Sequence, residues 1–136
     1  MRIMTVLITT LLVSAPAIAA QPVNGRWITA DRAAEVEIGR CGVNLCGRIV
    51  RIVTATPGAP TTDVSNPDPA QRTKPILGLA ILTGFTDDGD DWHGKIYDPR
   101  KGKTYKSILV RQPNGTLKVQ GCIAFFCQTQ VWTRAN

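Results

Sequence analysis

Two identically spaced cysteine pairs, Cys41/Cys46 and Cys122/Cys127, constrain this chain more than any other feature. What the thiols become depends on the compartment: disulfides in an oxidising one, a metal or redox site in the cytosol. The N-terminus decides between them. Arg2 supplies a positive first region and Ile3 to Val13 an apolar run. Ser14-Ala15-Pro16 then breaks that run ahead of Ala17-Ile18-Ala19, an A-x-A cleavage pattern. The run is shorter than the ~20 apolar residues needed to span a bilayer, and no cysteine follows the cleavage pattern to carry a lipid. Residues 1–20 therefore read as a secretory signal cleaved near Ala19/Ala20. The expected product is periplasmic or secreted, without a membrane span, and its thiols are expected as disulfides.

Removal of the leader leaves residues 21–136, enough chain for one domain and too little for two. Formal charge falls only from +6 to +5, because Arg2 is the one charge lost. Arg100, Lys101, Lys103 and Lys106 form one basic group, and Arg40, Arg48 and Arg51 another. An exported basic surface can meet anionic lipids, envelope polysaccharide or acidic proteins, although scattered charge is also what an ordinary solvated face carries. Nucleic acid is set aside as a partner, since no basic helix or aromatic stacking platform accompanies the charge.

Short strands punctuated by turns dominate the rest. Val36 and Ile38 alternate with Glu35 and Glu37, the period of a strand with one buried face. Gly47 to Val53 is rich in Ile and Val. The run from Ile76 to Phe85 is apolar on both faces, with Gly78, Ala80 and Gly84 small on one side. Trp92 to Tyr97, Thr104 to Arg111, Leu117 to Cys122 and Cys127 to Thr133 complete the strand-like runs. Between them lie Asp87-Asp88-Gly89-Asp90, Asp98-Pro99-Arg100-Lys101-Gly102 and Pro113-Asn114-Gly115. The Asp-Gly and Asn-Gly steps supply the positive torsions of tight hairpins. No long stretch carries helical periodicity. The pattern predicts an all-β domain, a small antiparallel up-and-down barrel of about eight strands beginning near Trp27.

One segment breaks this rhythm. Thr54 to Pro75 carries Pro57, Pro60, Pro67, Pro69 and Pro75, so it cannot be a central strand. Loops of this length in compact domains are usually functional or disordered. Within it, a short helix is expected from near Asp68, with Pro69 in its first turn. Asn66 and Asp68 either cap turns or, with Arg72, face a ligand.

Strand counting gives the cysteines a geometry. The first pair falls at the hairpin of the second and third strands, and the second pair at the hairpin of the last two. In an up-and-down barrel those turns lie at opposite ends. Four residues are expected to turn within each pair: Gly42-Val43-Asn44-Leu45 and Ile123-Ala124-Phe125-Phe126. Residues facing one another at a hairpin mouth sit about 4.5–5.5 Å apart between Cα atoms, near disulfide range. Local bridges Cys41–Cys46 and Cys122–Cys127 follow, with a four-thiolate zinc site as the competing reading.

Gly25-Arg26-Trp27 opens the first strand, and Trp132 with Arg134 closes the last. This G-x-W start with a cation on the final strand resembles the lipocalin and calycin pattern. The resemblance implies that Trp27, Trp132 and Arg134 stack where the first and last strands meet. Further stretches resemble domain-of-unknown-function family 2147, small exported bacterial proteins. They are Cys46-Gly47-Arg48-Ile49, Asn66-Pro67-Asp68-Pro69 with Arg72, Gly78-Leu79 through Gly84-Phe85, Gly94 to Pro99, Gly102 to Tyr105, and Thr129 to Trp132. That likeness implies an exported single-domain β protein and no established activity.

Catalytic chemistry finds little material. His93 is the one histidine, so a nucleophile–histidine apparatus has little to draw on. Asp87, Asp88, Asp90 and Asp91 lack the spacing and terminal Glu of a calcium hand and read as an acidic turn. No metal or cofactor is required. Tyr97, Asp98 and Tyr105, with Lys103, can line a polar pocket, although a hairpin about Pro99 and Gly102 also accounts for them. The leading functional reading is a binding module for a small apolar or amphipathic ligand. An eight-stranded barrel is about wide enough for one such molecule or for its own side chains. Asn66, Asp68, Arg72, Tyr97, Asp98 and Tyr105 are the candidate contacts. The alternative is an envelope-associated protein that binds anionic surface polymers or proteins through its basic rims. An enzyme acting on envelope components stands third.

Overall fold

A computed structural model describes residues 10–16 and 19–136. Arg2, much of the apolar run, and Ala17-Ile18 of the cleavage pattern lie outside the described residues. Eight strands follow one another: β1 (Gly25–Ile28), β2 (Ala34–Cys41), β3 (Asn44–Ile52), β4 (Ala80–Asp87), β5 (Trp92–Asp98), β6 (Lys103–Arg111), β7 (Leu117–Ile123) and β8 (Phe126–Arg134). Each pairs antiparallel with the next, and β8 returns to β1, giving a closed up-and-down barrel. No helix among the described residues is long and apolar enough to cross a membrane.

Alternation sets the wall. Val36 and Ile38 point inward and are buried, opposite Ile49 and Gly47 of β3. Glu35 and Glu37 take the outer face. Glu35 is nonetheless covered, because Arg51 (2.7 Å) and Arg26 (3.6 Å) close over its carboxylate from the neighbouring strands. Inside, Trp27, Trp132, Phe85, Leu82, Leu109 and Leu117 form the largest members of one core.

The topology divides the molecule into two ends. The β2–β3, β4–β5 and β6–β7 turns, the start of β1 and the end of β8 share the base. The β1–β2, β3–β4, β5–β6 and β7–β8 connections share the mouth. Residues 20–24 plug the base. Val23 is wholly buried, and its carbonyl accepts a bond from the Trp27 indole N–H (2.9 Å), while the Gln21 carbonyl accepts one from the Trp92 indole.

The cysteines are bridged as Cys41–Cys46 and Cys122–Cys127, with Cα separations of 5.7 and 4.0 Å, at opposite ends of the barrel. The expected four-residue turns are corrected to two, Gly42-Val43 and Ala124-Phe125, because strand pairing continues past the sulfurs. Cys122 and Cys127 stand directly opposite. Cys41 instead faces Asn44, so its bridge to Cys46 runs diagonally.

The apolar run from Ile76 is also corrected. Its strand begins only at Ala80, since the Leu79 amide donates to the Ile76 carbonyl and closes a turn through Gly78. The small residues of this run do not form one face. Gly84, at φ 66°, lies where the β4–β5 register shifts, a bulge that an L-residue would strain.

Candidate functional site

Side-chain direction is fixed by register, and it exposes an inner wall at the mouth. Leu117 faces Trp132 across β7 and β8, and Val119 faces Gln130; the same inward-facing set continues as Gly121 opposite Gln128 and Ile123 opposite Phe126. Leu117, Val119 and Trp132 are buried, whereas Gln128 and Gln130 are exposed, with Ile123 at 65% and Phe126 at 73% exposure. On β6 the inward set runs Leu109, Ser107, Tyr105 toward the mouth. The lower barrel is therefore filled by its own side chains, and the upper inner wall of β5–β8 is open. At the boundary sits Ser107, 1% exposed, flanked by Gly94 and Gly121; its Oγ has no hydrogen-bond partner among the described residues. A buried hydroxyl left unmatched costs about 1–3 kcal/mol, so this atom is the polar feature that distinguishes the boundary between filled and open barrel.

The β3–β4 connection, residues 53–79, is drawn to the rim beside this opening. Thr62 bridges to Pro75, and the Asp63 amide donates to the Lys74 carbonyl, folding the segment on itself. Asp63 is wholly buried. Its carboxylate accepts bonds from the Tyr97 hydroxyl (2.7 Å) and the Asn66 amide (2.8 Å). Tyr97 belongs to the outward set of β5, so this latch holds the connection against β5 and leaves the inner wall of β7–β8 uncovered. Burial first, then the bond to Asp63 and its charge, push the Tyr97 hydroxyl up to about 12. Gly102 (φ 63°) completes the seat: a Cβ there would lie 1.8 Å from the Ser65 carbonyl oxygen, so only glycine lets the two backbones approach.

Most of the residues singled out from sequence meet at this latch, where their polar atoms bond to one another. The Asn66 side-chain oxygen accepts from the Asp68 amide (2.9 Å), and Asp68 caps the 3-10 turn Pro69–Gln71 by accepting from Ala70 (3.0 Å). Arg72 Nε donates to the Asn66 carbonyl (2.7 Å). Asp98 accepts from the Arg100 amide (2.9 Å), organising the β5–β6 turn. Arg100 in turn reaches Asp31 on the β1–β2 turn (3.3 Å). Burial tends to raise the Asp31 carboxyl, but bonds from Thr29 and Ala33 and the Arg100 charge outweigh it and hold the group below its ordinary value. Tyr105 stands apart from this set, on the inner wall. Asp63, Ser107 and Gly121 went unread from sequence.

Trp27, Trp132 and Arg134 lie at the base. Trp27 pairs with Arg134 in the β1–β8 register, and the Arg134 guanidinium lies 4.2 Å from the Trp27 ring centroid, with Arg111 at 5.0 Å. Arg134 also donates to the Asn24 carbonyl, tying plug to closure (3.0 Å).

The outer wall carries a second concavity. A groove of about 710 Å³ crosses the outward faces of β4–β7 and ends at the Cys122–Cys127 bridge. Lys95 and Lys106 face each other directly on its floor, and neither forms an ion pair among the described residues. At the exposed β4–β5 turn, Asp88, Asp91 and His93 bring three ligand-type atoms within 4.8 Å of one another.

In sequence, no curated protein matches the chain. In structure, it resembles a Helicobacter pylori protein, HP1028, described as belonging to the lipocalin family. The TM-score is 0.73 at 22% identity, covering 85% of this chain and 84% of that one. That likeness is one of fold: a lipocalin-like barrel. The family described as "Uncharacterized protein conserved in bacteria" (DUF2147) matches residues 25–134, from the first residue of β1 to the last of β8, and the chain belongs to it.

Proposed function

We propose that the protein is an exported binding module whose barrel mouth takes the apolar part of a small amphipathic molecule. The observation that carries this reading is the open inner wall of β5–β8 above the buried, unpartnered Ser107 hydroxyl. Ile123, Phe126 and Tyr105 offer apolar and aromatic surface, Gln128 and Gln130 offer polar contacts, and Ser107 offers one hydroxyl at the floor. A few polar groups within a mostly apolar concavity is the usual composition of a small-molecule site. Asn66, Asp68, Arg72 and Tyr97 then serve the site by holding the rim; Tyr105 faces the ligand, and Asp98, in the same inward register, organises the turn beside it.

The test uses cis-parinaric acid, a fatty acid whose fluorescence rises in apolar surroundings. Gly121→Leu places apolar bulk in the mouth, where a Cβ at Gly121 meets only Ile96 at 3.6 Å and Tyr105 at 3.9 Å, ordinary contacts. The parent should bind the probe and the variant should lose it while keeping its far-ultraviolet spectrum. Undiminished binding by the variant removes the mouth from consideration.

A second reading rests on the outer groove. Like charges directly opposite in a sheet destabilise it, so Lys95 facing Lys106 suits a surface that meets anionic polymers. Lys95→Glu with Lys106→Glu should abolish salt-sensitive binding to anionic envelope polysaccharide and leave cis-parinaric acid binding intact.

A further inference from the structure

We infer that the peptide bond between Ala19 and Ala20 is the point at which the chain is processed, and that Asp87 receives the α-ammonium group so created. The inference rests on the export reading and goes beyond it, because the sequence alone leaves either Ala19 or Ala20 as the last leader residue.

Burial changes sharply at this bond. Residues 10–16 and Ala19 are all exposed, Leu12 at 95%, whereas Ala20 is 7% exposed. The Ala20 nitrogen lies 3.2 Å from both carboxylate oxygens of Asp87, at the end of β4. One amide N–H shared between two acceptors at that distance is a weak donor for a carboxylate. Hydrolysis of the Ala19–Ala20 bond by a leader peptidase adds water across it. The acyl carbon of Ala19 leaves with the hydroxyl as a carboxylate, and the Ala20 nitrogen becomes an amine. With an ordinary pKa near 7.7–8.0 it takes up a proton and carries positive charge at neutral pH. One donor becomes three, and a neutral bond becomes a charge-assisted one, roughly twice as strong.

The surroundings are already arranged for that end. Asp87 Oδ1 also accepts from the Gly89 amide (2.7 Å), which orients the carboxylate. Gln21, Val23 and Asn24 are each pinned through their carbonyls by Trp92, Trp27 and Arg134. Cleavage one residue later would discard the buried Ala20 and leave Asp87 with Gly89 but without its partner in the plug. The A-x-A pattern ends at Ala19, one of the two sites the sequence leaves open, and the geometry selects that one.

Two measurements test this. The full chain is expressed in a bacterial host with its export machinery, and the purified product is read by intact mass and N-terminal sequencing. A chain beginning at Ala20 is expected. A chain beginning at Gln21 or beyond overturns the inference and leaves export standing, while an unprocessed chain beginning at Met1 overturns export itself. Second, urea unfolding compares a chain starting at Ala20 with one carrying a single extra glycine before it, each with and without Asp87→Asn. The glycine should lower the folding equilibrium constant about five-fold when Asp87 is present and leave it unchanged when Asp87 is replaced. Equal effects in both backgrounds would sink the ammonium–Asp87 pair.

Discussion

The two ends of this barrel are built from the same eight strands and differ in what happens to inward-facing residues. At the base, Trp27, Trp132 and Val23 are almost wholly buried, and the carbonyls of residues 20–24 accept three hydrogen bonds from side chains of the barrel. At the mouth, Ile123 and Phe126 face inward yet remain mostly exposed. Burial of a large apolar side chain stabilises by about 1.5–3 kcal/mol, so stability is concentrated at the base. The mouth keeps apolar surface in water, and exposed apolar surface of this kind marks interaction sites. On the proposed reading, the chain separates what holds it folded from what binds.

The largest test of this division is Trp27→Ala against Phe126→Ala. Trp27 is buried, its indole N–H is matched by Val23, and Arg134 and Arg111 lie against its ring. Its truncation should cost about 3–5 kcal/mol, the range for large-to-small changes in a core, read as a lowered urea midpoint. Phe126→Ala should change stability by no more than about 0.5 kcal/mol, as surface substitutions do. Equal losses at the two positions would mean that the mouth is part of the core.

How much of this could be read from sequence follows the distance over which each feature is encoded. The strands were legible because alternation is local: Val36 and Ile38 against Glu35 and Glu37 declare a wall with one dry face. The Asp68–Pro69 cap was legible for the same reason, since donor and acceptor lie two residues apart. Asp63 was not, because its partner Tyr97 is 34 residues away and the stretch Thr61-Thr62-Asp63 follows no local pattern. Ser107 was misleading. It sits beside Ile108, Leu109 and Val110, where both faces are apolar, and the polar residue proves to point inward with Leu109. The run from Ile76 failed at its start because apolar character does not reveal the turn through Gly78.

The rim latch is the intermediate case. Tyr97→Phe leaves one oxygen of the buried Asp63 carboxylate without its donor, a cost of about 1–3 kcal/mol, and should raise hydrogen exchange across residues 61–76. The hydroxyl also has a pH signature. Its ordinary pKa is 10.0 and the fold raises it to about 12, so the folded state retains a proton that the unfolded chain gives up first. The latch contribution is therefore whole below pH 10 and is lost as pH rises from there to about 12. Subtracting the Tyr97→Phe stability profile from that of the parent should isolate this loss. A flat difference would mean that the phenol does not hold the loop.

The smallest effect bears most directly on the mouth. Ser107 is buried as fully as the core beneath it, yet its Oγ has no partner among the described residues. If it were only a core residue, selection for stability alone would favour alanine, which keeps the small volume required between Gly94 and Gly121 and removes the unmatched hydroxyl. Ser107→Ala should therefore raise the urea midpoint, by about 1 kcal/mol at most. In a binding site the same change has a second consequence, because the hydroxyl is the one polar group at the floor. Affinity for an amphipathic probe that buries a polar atom there should fall as stability rises. The two readouts moving in opposite directions would distinguish a floor kept for a ligand from a packing defect, which would show the gain in stability with binding unchanged.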